Sequence, residues 1–345
     1  MPASRSADGS GRELLIREIT FVEAVREAQA DALSADDRVF IMGQELGEYG
    51  GVFRATEGLA ERFGAHRVRD MPIAEQSMLG AGVGAAIMGM RPIVEVMFMD
   101  FIACGMDAIV NHAAKVGYMS GDQMRAPMVI RTQGGSGTHH GSQHSQTLES
   151  WFLHVPGLAV VVPFTPSDVK GLFKTSIRVD HPVLFVEHRA LYRTRGAVSD
   201  PVEPIPLGKG VIRRRGDDVT VVGIGKSVGQ AQIAARLLEE EGVSVEVIDL
   251  RTLVPLDVDL VLESLAHTHH LVVAHEAVER GGWAGELVSR VVAEGFDELD
   301  APPLRAGSRP VPVPFAKELE AEMIADERLI AQRVRQALGM VEYAR

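Results

Sequence analysis

The sequence predicts an α/β fold of two domains, and three features point to it. Short runs that are apolar throughout, such as Val39-Phe40-Ile41-Met42 and Leu158-Ala159-Val160-Val161-Val162, recur along the chain. Strands of that kind are buried on both faces, as in a parallel sheet covered by helices. Segments with apolar residues at helical spacing alternate with them. One stretch, with Pro201, Pro204, Pro206 and Gly208 among charged and small residues, interrupts the alternation, which then resumes. At 345 residues and 46% hydrophobic content the chain can fill two cores. The expected layout is a frayed polar tail over residues 1–13, a first domain over 14–192, a linker over 193–210 and a second domain over 211–345.

In chain order, Ile19 to Leu33 has helical spacing with Thr20 as its cap, and Arg38 to Gly43 is a buried strand. A glycine-rich loop, Gln44 to Arg54, precedes a short helix closed by Gly64. His66 to Arg69 is a strand, followed by a turn and the uncharged small-residue helix after Glu75. Further strands are expected at Arg91 to Phe98, Pro127 to Arg131, Leu158 to Val162 and Pro182 to Glu187, with helices over Asp107 to Tyr118 and Pro166 to Val179. In the second domain, strands at Asp218 to Gly223, Ser244 to Leu250 and His270 to Glu276 alternate with helices at Gln230 to Glu241, Leu260 to Ala266 and Gly285 to Glu294, and a last helix covers Glu327 to Leu338.

The net charge of −12 argues against a nucleic-acid or anionic-membrane partner. The longest uncharged stretch, between Glu75 and Arg91, is too short and too rich in Gly and Ala to span a bilayer, so a soluble, cytoplasmic protein is expected. Cys104 is the only cysteine, excludes an internal disulfide and reads as a small buried apolar residue.

Glu75 stands on the turn between a strand and a tightly packed helix, where α/β proteins bind ligands. Burial there would raise its pKa toward a value useful for proton transfer. A helix cap at the positive end of the dipole explains it equally well. A second candidate is the loop Gly134 to Gln146 with His139, His140 and His144. The spacing of His140 and His144 could suggest a metal, but glycines surround them and no carboxylate or cysteine is near in sequence. A mobile loop bringing a histidine to a strand-end cleft suits proton transfer better. Gly225-Lys226-Ser227 lacks the earlier glycine of a phosphate-binding loop, and Gly80-Ala81-Gly82-Val83-Gly84 lacks the dinucleotide spacing.

The ordered set Gly50-Gly51-Val52-Phe53, Arg67-Val68-Arg69-Asp70, Pro72-Ile73-Ala74-Glu75, Arg91-Pro92-Ile93, Asn111-His112-Ala113-Ala114-Lys115, Gln143-His144-Ser145-Gln146, Pro156-Gly157-Leu158 and Glu246 to Leu253 resembles the beta subunit of the thiamine-diphosphate-dependent 2-oxoacid dehydrogenase component, in the transketolase-like superfamily. The resemblance covers roughly residues 15–340 and looks closest to acetoin- and pyruvate-type members over Glu95 to Phe101. It implies a pyrimidine-binding domain followed by a transketolase C-terminal-like domain.

The resemblance further implies that Glu75 hydrogen-bonds a ring nitrogen of the cofactor's aminopyrimidine, so that the cofactor can ionise its own thiazolium carbon. Phe101 matches the aromatic placed against the pyrimidine, although a core role is open to it. His144 would donate a proton or orient the acceptor as the acyl group moves to the lipoyl arm of a dihydrolipoyl acyltransferase. The chain has no Gly-Asp-Gly segment followed by asparagine, so Mg²⁺ and the diphosphate would be held mainly by an alpha subunit, in an assembly of two alpha and two beta chains. No metal ligand is assigned to this chain.

Gln44 stands where the family has an acidic residue, and Met71 replaces a threonine. Val179 replaces the aspartate of a potassium loop near Ser176, Ile177 and His181, which argues against K⁺ here. The expected activity is oxidative decarboxylation of a 2-oxo acid (or acetoin cleavage) with acyl transfer to lipoyl. The competing readings are half of a split transketolase-like carboligase, with an aldehyde or sugar as acceptor, and a non-catalytic scaffold.

Overall fold

The apolar runs form the strands expected of them. Residues 4–7 and 13–341 are described by a computed structural model and divide into two units, one of residues up to 133 with 154–207, the other of 134–153 with 208 onward. The loop 134–153 therefore belongs with the second unit, a grouping its position in the chain does not reveal.

In the first unit the strands Ala159–Val161, Val183–His188, Val129–Gly134, Arg91–Val96, Val39–Gly43 and Val68–Asp70 lie side by side in that order. Val39–Gly43 runs parallel to both Val68–Asp70 and Arg91–Val96, Arg91–Val96 to Val129–Gly134, and Ala159–Val161 to Val183–His188. Val39, Ile41, Ile93, Val129, Val161, Val183 and Phe185 join one core. The helix Phe21–Ala35 opens with a capping box, Glu23 N donating to Thr20 Oγ1 (3.3 Å) and Thr20 N to Glu23 Oε2 (2.7 Å). Helix Pro166–Ser176 begins the same way from Thr165 and Asp168.

Helix Glu75–Ile87 shows why its sequence is so poor in large side chains. A Cβ on Gly82 would lie 2.6 Å from Val94 Cγ2, and one on Gly105 would lie 2.1 Å from Leu79 Cδ1. The helix is pressed against the Arg91–Val96 strand on one side and the segment Met99–Gly105 on the other.

Residues 1–13 and 193–210 contain strands that the sequence pattern does not indicate. Ser4–Ala7 is a strand, paired antiparallel with Glu13–Thr20, and Arg195–Asp200 completes a three-stranded sheet on the other edge. Backbone donors of both segments are thus used in a ladder that their polar composition hides. The remaining tail, residues 1–3 and 8–12, lies outside the described residues. The helix expected over Asp107 to Tyr118 is a π-helical turn, Ala108–Ala113, followed by Val116–Met119. Asn111 Nδ2 and His112 Nε2 both reach Asp107, at 2.7 and 3.3 Å. Cys104 is exposed, because the tight 3₁₀ segment Met99–Gly105 turns Met99, Asp100, Ile102 and Gly105 inward instead.

In the second unit the order is Val211–Arg214, Val245–Asp249, Val219–Gly223, Leu271–Val278 and Leu304–Ser308, the first pair antiparallel and the rest parallel.

One polar cluster is built into the first sheet. Glu95 and Arg131 are directly paired on neighbouring strands, and Glu187 projects from the next. Arg131, 2% exposed, donates Nη1 to Glu95 Oε2 (2.5 Å) and makes a two-pronged contact with Glu187 (2.6 and 2.9 Å). Gln29 Oε1 takes a further bond from Nη1 at 3.2 Å, and Tyr192 Oη donates to Glu187. Burial opposes the charge on Arg131, but Glu187 and Glu95 outweigh it and raise its pKa. Replacing Arg131 by Met strands two carboxylates and is expected to cost about 3–5 kcal/mol in urea denaturation. Loss of the exposed Arg54–Glu57 pair (3.1 Å) in Arg54→Ala should cost less than about 1 kcal/mol in the same measurement.

Candidate active site

Glu75 is the first residue of its helix, immediately beyond the strand Val68–Asp70. The turn between them is held from below. Met71 N donates to Gly43 O (2.8 Å), and Gly47 N to Asp70 Oδ1 (2.8 Å). A Cβ on Gly47 would lie 2.7 Å from Asp70 Oδ2 and would push that carboxylate away from the Gly47 amide it accepts from. The loop pinned in this way presents Gln44, which is buried, with Nε2 3.4 Å from Glu75 Oε1. This is the one hydrogen bond to the Glu75 carboxylate among the described residues. Glu75 is half-buried, with Gln76 and Ser77 beside it exposed.

Phe101 lies in the segment that packs on the first turn of the same helix, where a Cβ on Gly105 would be 3.5 Å from Glu75 O. Its ring meets Phe98 edge-on (5.9 Å, 86°), Phe98 meets Phe53 (5.4 Å, 84°), and Phe53 meets Tyr192 (6.1 Å, 86°). Arg189 covers Phe53 and Phe98 at 5.9 and 5.3 Å. Thr56 Oγ1, Thr132 Oγ1 and Gln133 Oε1 are buried without a protein partner. The half-buried Glu75 carboxylate with its Gln44 partner, and the aromatic side chain of Phe101 on the segment packed against the same helix, supply a hydrogen-bonding group and an aromatic surface, a chemistry that fits an aminopyrimidine.

His144 lies in the second unit, half-buried, with its N–H on Gly141 O at 3.3 Å. The loop that carries it is anchored. Ser136 N and Oγ donate to Glu276 Oε1 at 2.6 and 2.9 Å, and Lys226 Nζ holds Glu276 Oε2 at 2.9 Å. Gly137 N donates to Glu320 Oε1 at 2.8 Å, and His139 N and Nδ1 lie 3.2 and 2.6 Å from Glu320 Oε2. Ser142 Oγ donates to Val313 O at 2.8 Å. Beside the loop is a cavity of about 390 Å³ lined in part by Ser136, Ser145, Trp151, Glu276 and Met323. His140 and His144 join no metal cluster: among the described residues no three His, Cys, Asp or Glu side chains converge. Glu276 and Glu320 were missed in the sequence, where nothing local marks them.

The carbonyls of Ile177 and Val179, in the segment weighed for potassium, both accept from Arg91 Nη1, at 3.1 and 3.0 Å. A cationic group already serves them.

Residues 17–195 match the transketolase pyrimidine-binding domain and 208–330 the transketolase C-terminal domain. This two-domain class agrees with the fold. Over 310 residues the chain is 44% identical to the pyruvate dehydrogenase E1 component subunit beta of Rickettsia bellii, covering 90% of this chain and 95% of that protein. It is 40% identical over 304 residues to the 2-oxoisovalerate dehydrogenase subunit beta of Bacillus subtilis, covering 88% and 93%. A split gene transketolase solved as an inactive beta4 tetramer shares the fold, with a TM-score of 0.76, 23% identity and coverage of 94% and 99%. The chain belongs to the family of beta subunits of the 2-oxoacid dehydrogenase E1 component. None of its described helices is long and apolar enough to cross a membrane.

Two buried groups near the loop titrate in opposite senses. Burial, with Glu276 nearby, lifts Glu149 from 4.5 to about 7. Burial, with Arg305 adding repulsion, lowers His275 from 6.5 to about 4. His275 is closed in by Gly282, Gly307 and Trp283, and both its ring nitrogens are unpartnered. The neutral Glu149 carboxyl stabilises the fold below its ordinary value, and that contribution is lost as pH rises from 4.5 to 7. Neutral His275 stabilises above 6.5, and its contribution is lost as pH falls toward 4. Each amounts to about 3 kcal/mol by linkage. Relative to the parent, the Tm profile between pH 4.5 and 6.5 should gain a rising slope in Glu149→Gln and a falling slope in His275→Asn, read by thermal denaturation.

Proposed function

We propose that this chain is the beta subunit of a 2-oxoacid dehydrogenase decarboxylating component. Together with an alpha subunit it carries out thiamine-diphosphate-dependent oxidative decarboxylation of a 2-oxo acid. The acyl group passes to the lipoyl arm of a dihydrolipoyl acyltransferase. The observation that carries this reading is identity of 40–44% with named E1 beta subunits over both domains.

When bound, thiamine diphosphate supplies the electron sink that lets carbon dioxide leave. Glu75 would hold a proton at a ring nitrogen of the pyrimidine, and Phe101 would lie against its face. The Gln44 amide donates to Glu75 Oε1, which orients the carboxyl without adding a second negative charge beside it. His144 would give a proton to the lipoyl acceptor or orient it. Magnesium and the diphosphate fall mainly to the alpha subunit, since this chain lacks the Gly-Asp-Gly and asparagine segment. The assembly proposed is two alpha with two beta chains, in the cytoplasm.

The carboligase reading differs only in the acceptor, and the split transketolase likeness, at 23% identity, speaks for the fold alone. With the alpha partner reconstituted, lipoamide should accept the acyl group while aldehydes and sugar phosphates do not; turnover with an aldehyde alone would reverse the assignment. Glu75→Gln should lower decarboxylation at least about 100-fold while size-exclusion chromatography shows the complex intact. Full turnover in that variant would remove Glu75 from the mechanism.

A further inference from the structure

The loop Gly134 to Gln146 contains Gly134, Gly135, Gly137 and Gly141, and ordering so glycine-rich a segment is entropically costly. What orders it comes from far along the chain. Glu320, 1% exposed, sends Oε1 to the amide of Gly137 (2.8 Å) and Oε2 to the amide of His139 (3.2 Å) and its Nδ1 (2.6 Å). Glu276 holds the amide and hydroxyl of Ser136 with one oxygen and Lys226 with the other. A carboxylate buried to this degree is tolerated when its lone pairs are filled, and for Glu320 the loop supplies the donors. Charge-assisted bonds of this kind, shielded from water, are strong and directional. His139 also takes a left-handed backbone (φ 58°), so the clamp holds the chain in a turn it would otherwise rarely adopt.

We propose that Glu320, assisted by Glu276, is a positioning residue for His144. By fixing the backbone from Ser136 to His139, it sets where the imidazole five residues further on can reach during acyl transfer. The inference rests on the role given to His144 above. It assigns to the second domain a part in the chemistry.

A double-mutant cycle on the enzyme reconstituted with its alpha partner tests this. Two partial reactions are read separately: decarboxylation with dichlorophenolindophenol as electron acceptor, and acyl transfer to a lipoyl domain, with kcat and KM resolved. Glu320→Ala should lower kcat for acyl transfer about 10- to 100-fold, the scale of a misplaced catalytic group. KM for the lipoyl domain and the decarboxylation rate should stay within about twofold. His139→Asn removes only the imidazole arm at a position where asparagine tolerates positive φ, and should lower acyl transfer by about 3- to 10-fold; it serves if Glu320→Ala does not fold. In a His144→Asn background Glu320→Ala should add nothing, because it acts through the missing imidazole. Effects that multiply in the double variant would overturn the proposal. So would a parallel fall of both partial reactions with Tm, or acyl transfer at the parental rate in Glu320→Ala. If His144→Asn alone transfers normally, the role of His144 has failed, and the inference about Glu320 falls with it.

Discussion

The first domain depends on a charge placed where water cannot reach it. Arg131 sits at the middle of three neighbouring strands, with Glu95 on one side and Glu187 on the other. Removing Arg131 leaves two buried carboxylates without their counter-ion, so the three strands are held to one register. The cluster extends outward as well. Glu187 receives the Tyr192 hydroxyl, Tyr192 meets Phe53, and Phe53 leads through Phe98 to Phe101. A buried ionic core and an aromatic ladder thus form one continuous support beneath the ring proposed to face the cofactor.

The two catalytic candidates are held by opposite strategies. Glu75 is placed by close backbone approach: glycines at 47, 82 and 105 let the loop, the strand and the 3₁₀ segment come nearer than any side chain allows. The glycine-rich loop that carries His144 is held at Ser136 and Gly137 by remote acceptors, Glu276 and Glu320. The first device costs side-chain packing and yields a rigid helix start. The second leaves conformational freedom in the chain and removes it with buried charge.

The difference explains what could be read from residues alone. Continuous apolar strands, the Thr20 cap and the small-residue helix after Glu75 are local patterns, and each is present at its expected place. Glu276 and Glu320 were not readable, since the amides they serve lie 140 and about 180 residues away in sequence. The ribbon strand Arg195–Asp200 was hidden for a similar reason: its partner Glu13–Thr20 is near the other end of the domain, and proline-rich neighbours masked it. Glu75 opens the helix against whose first turn the segment carrying Phe101 packs, whereas the burial expected of Cys104 is not found because that face of the 3₁₀ segment looks outward.

The outward turn of Cys104 gives the molecule one accessible sulfhydryl, three residues from Phe101, in a chain with no other cysteine. A maleimide dye or spin label would therefore attach at a single known point. Its environment would report on whatever later comes to rest against that edge of the pyrimidine-binding domain.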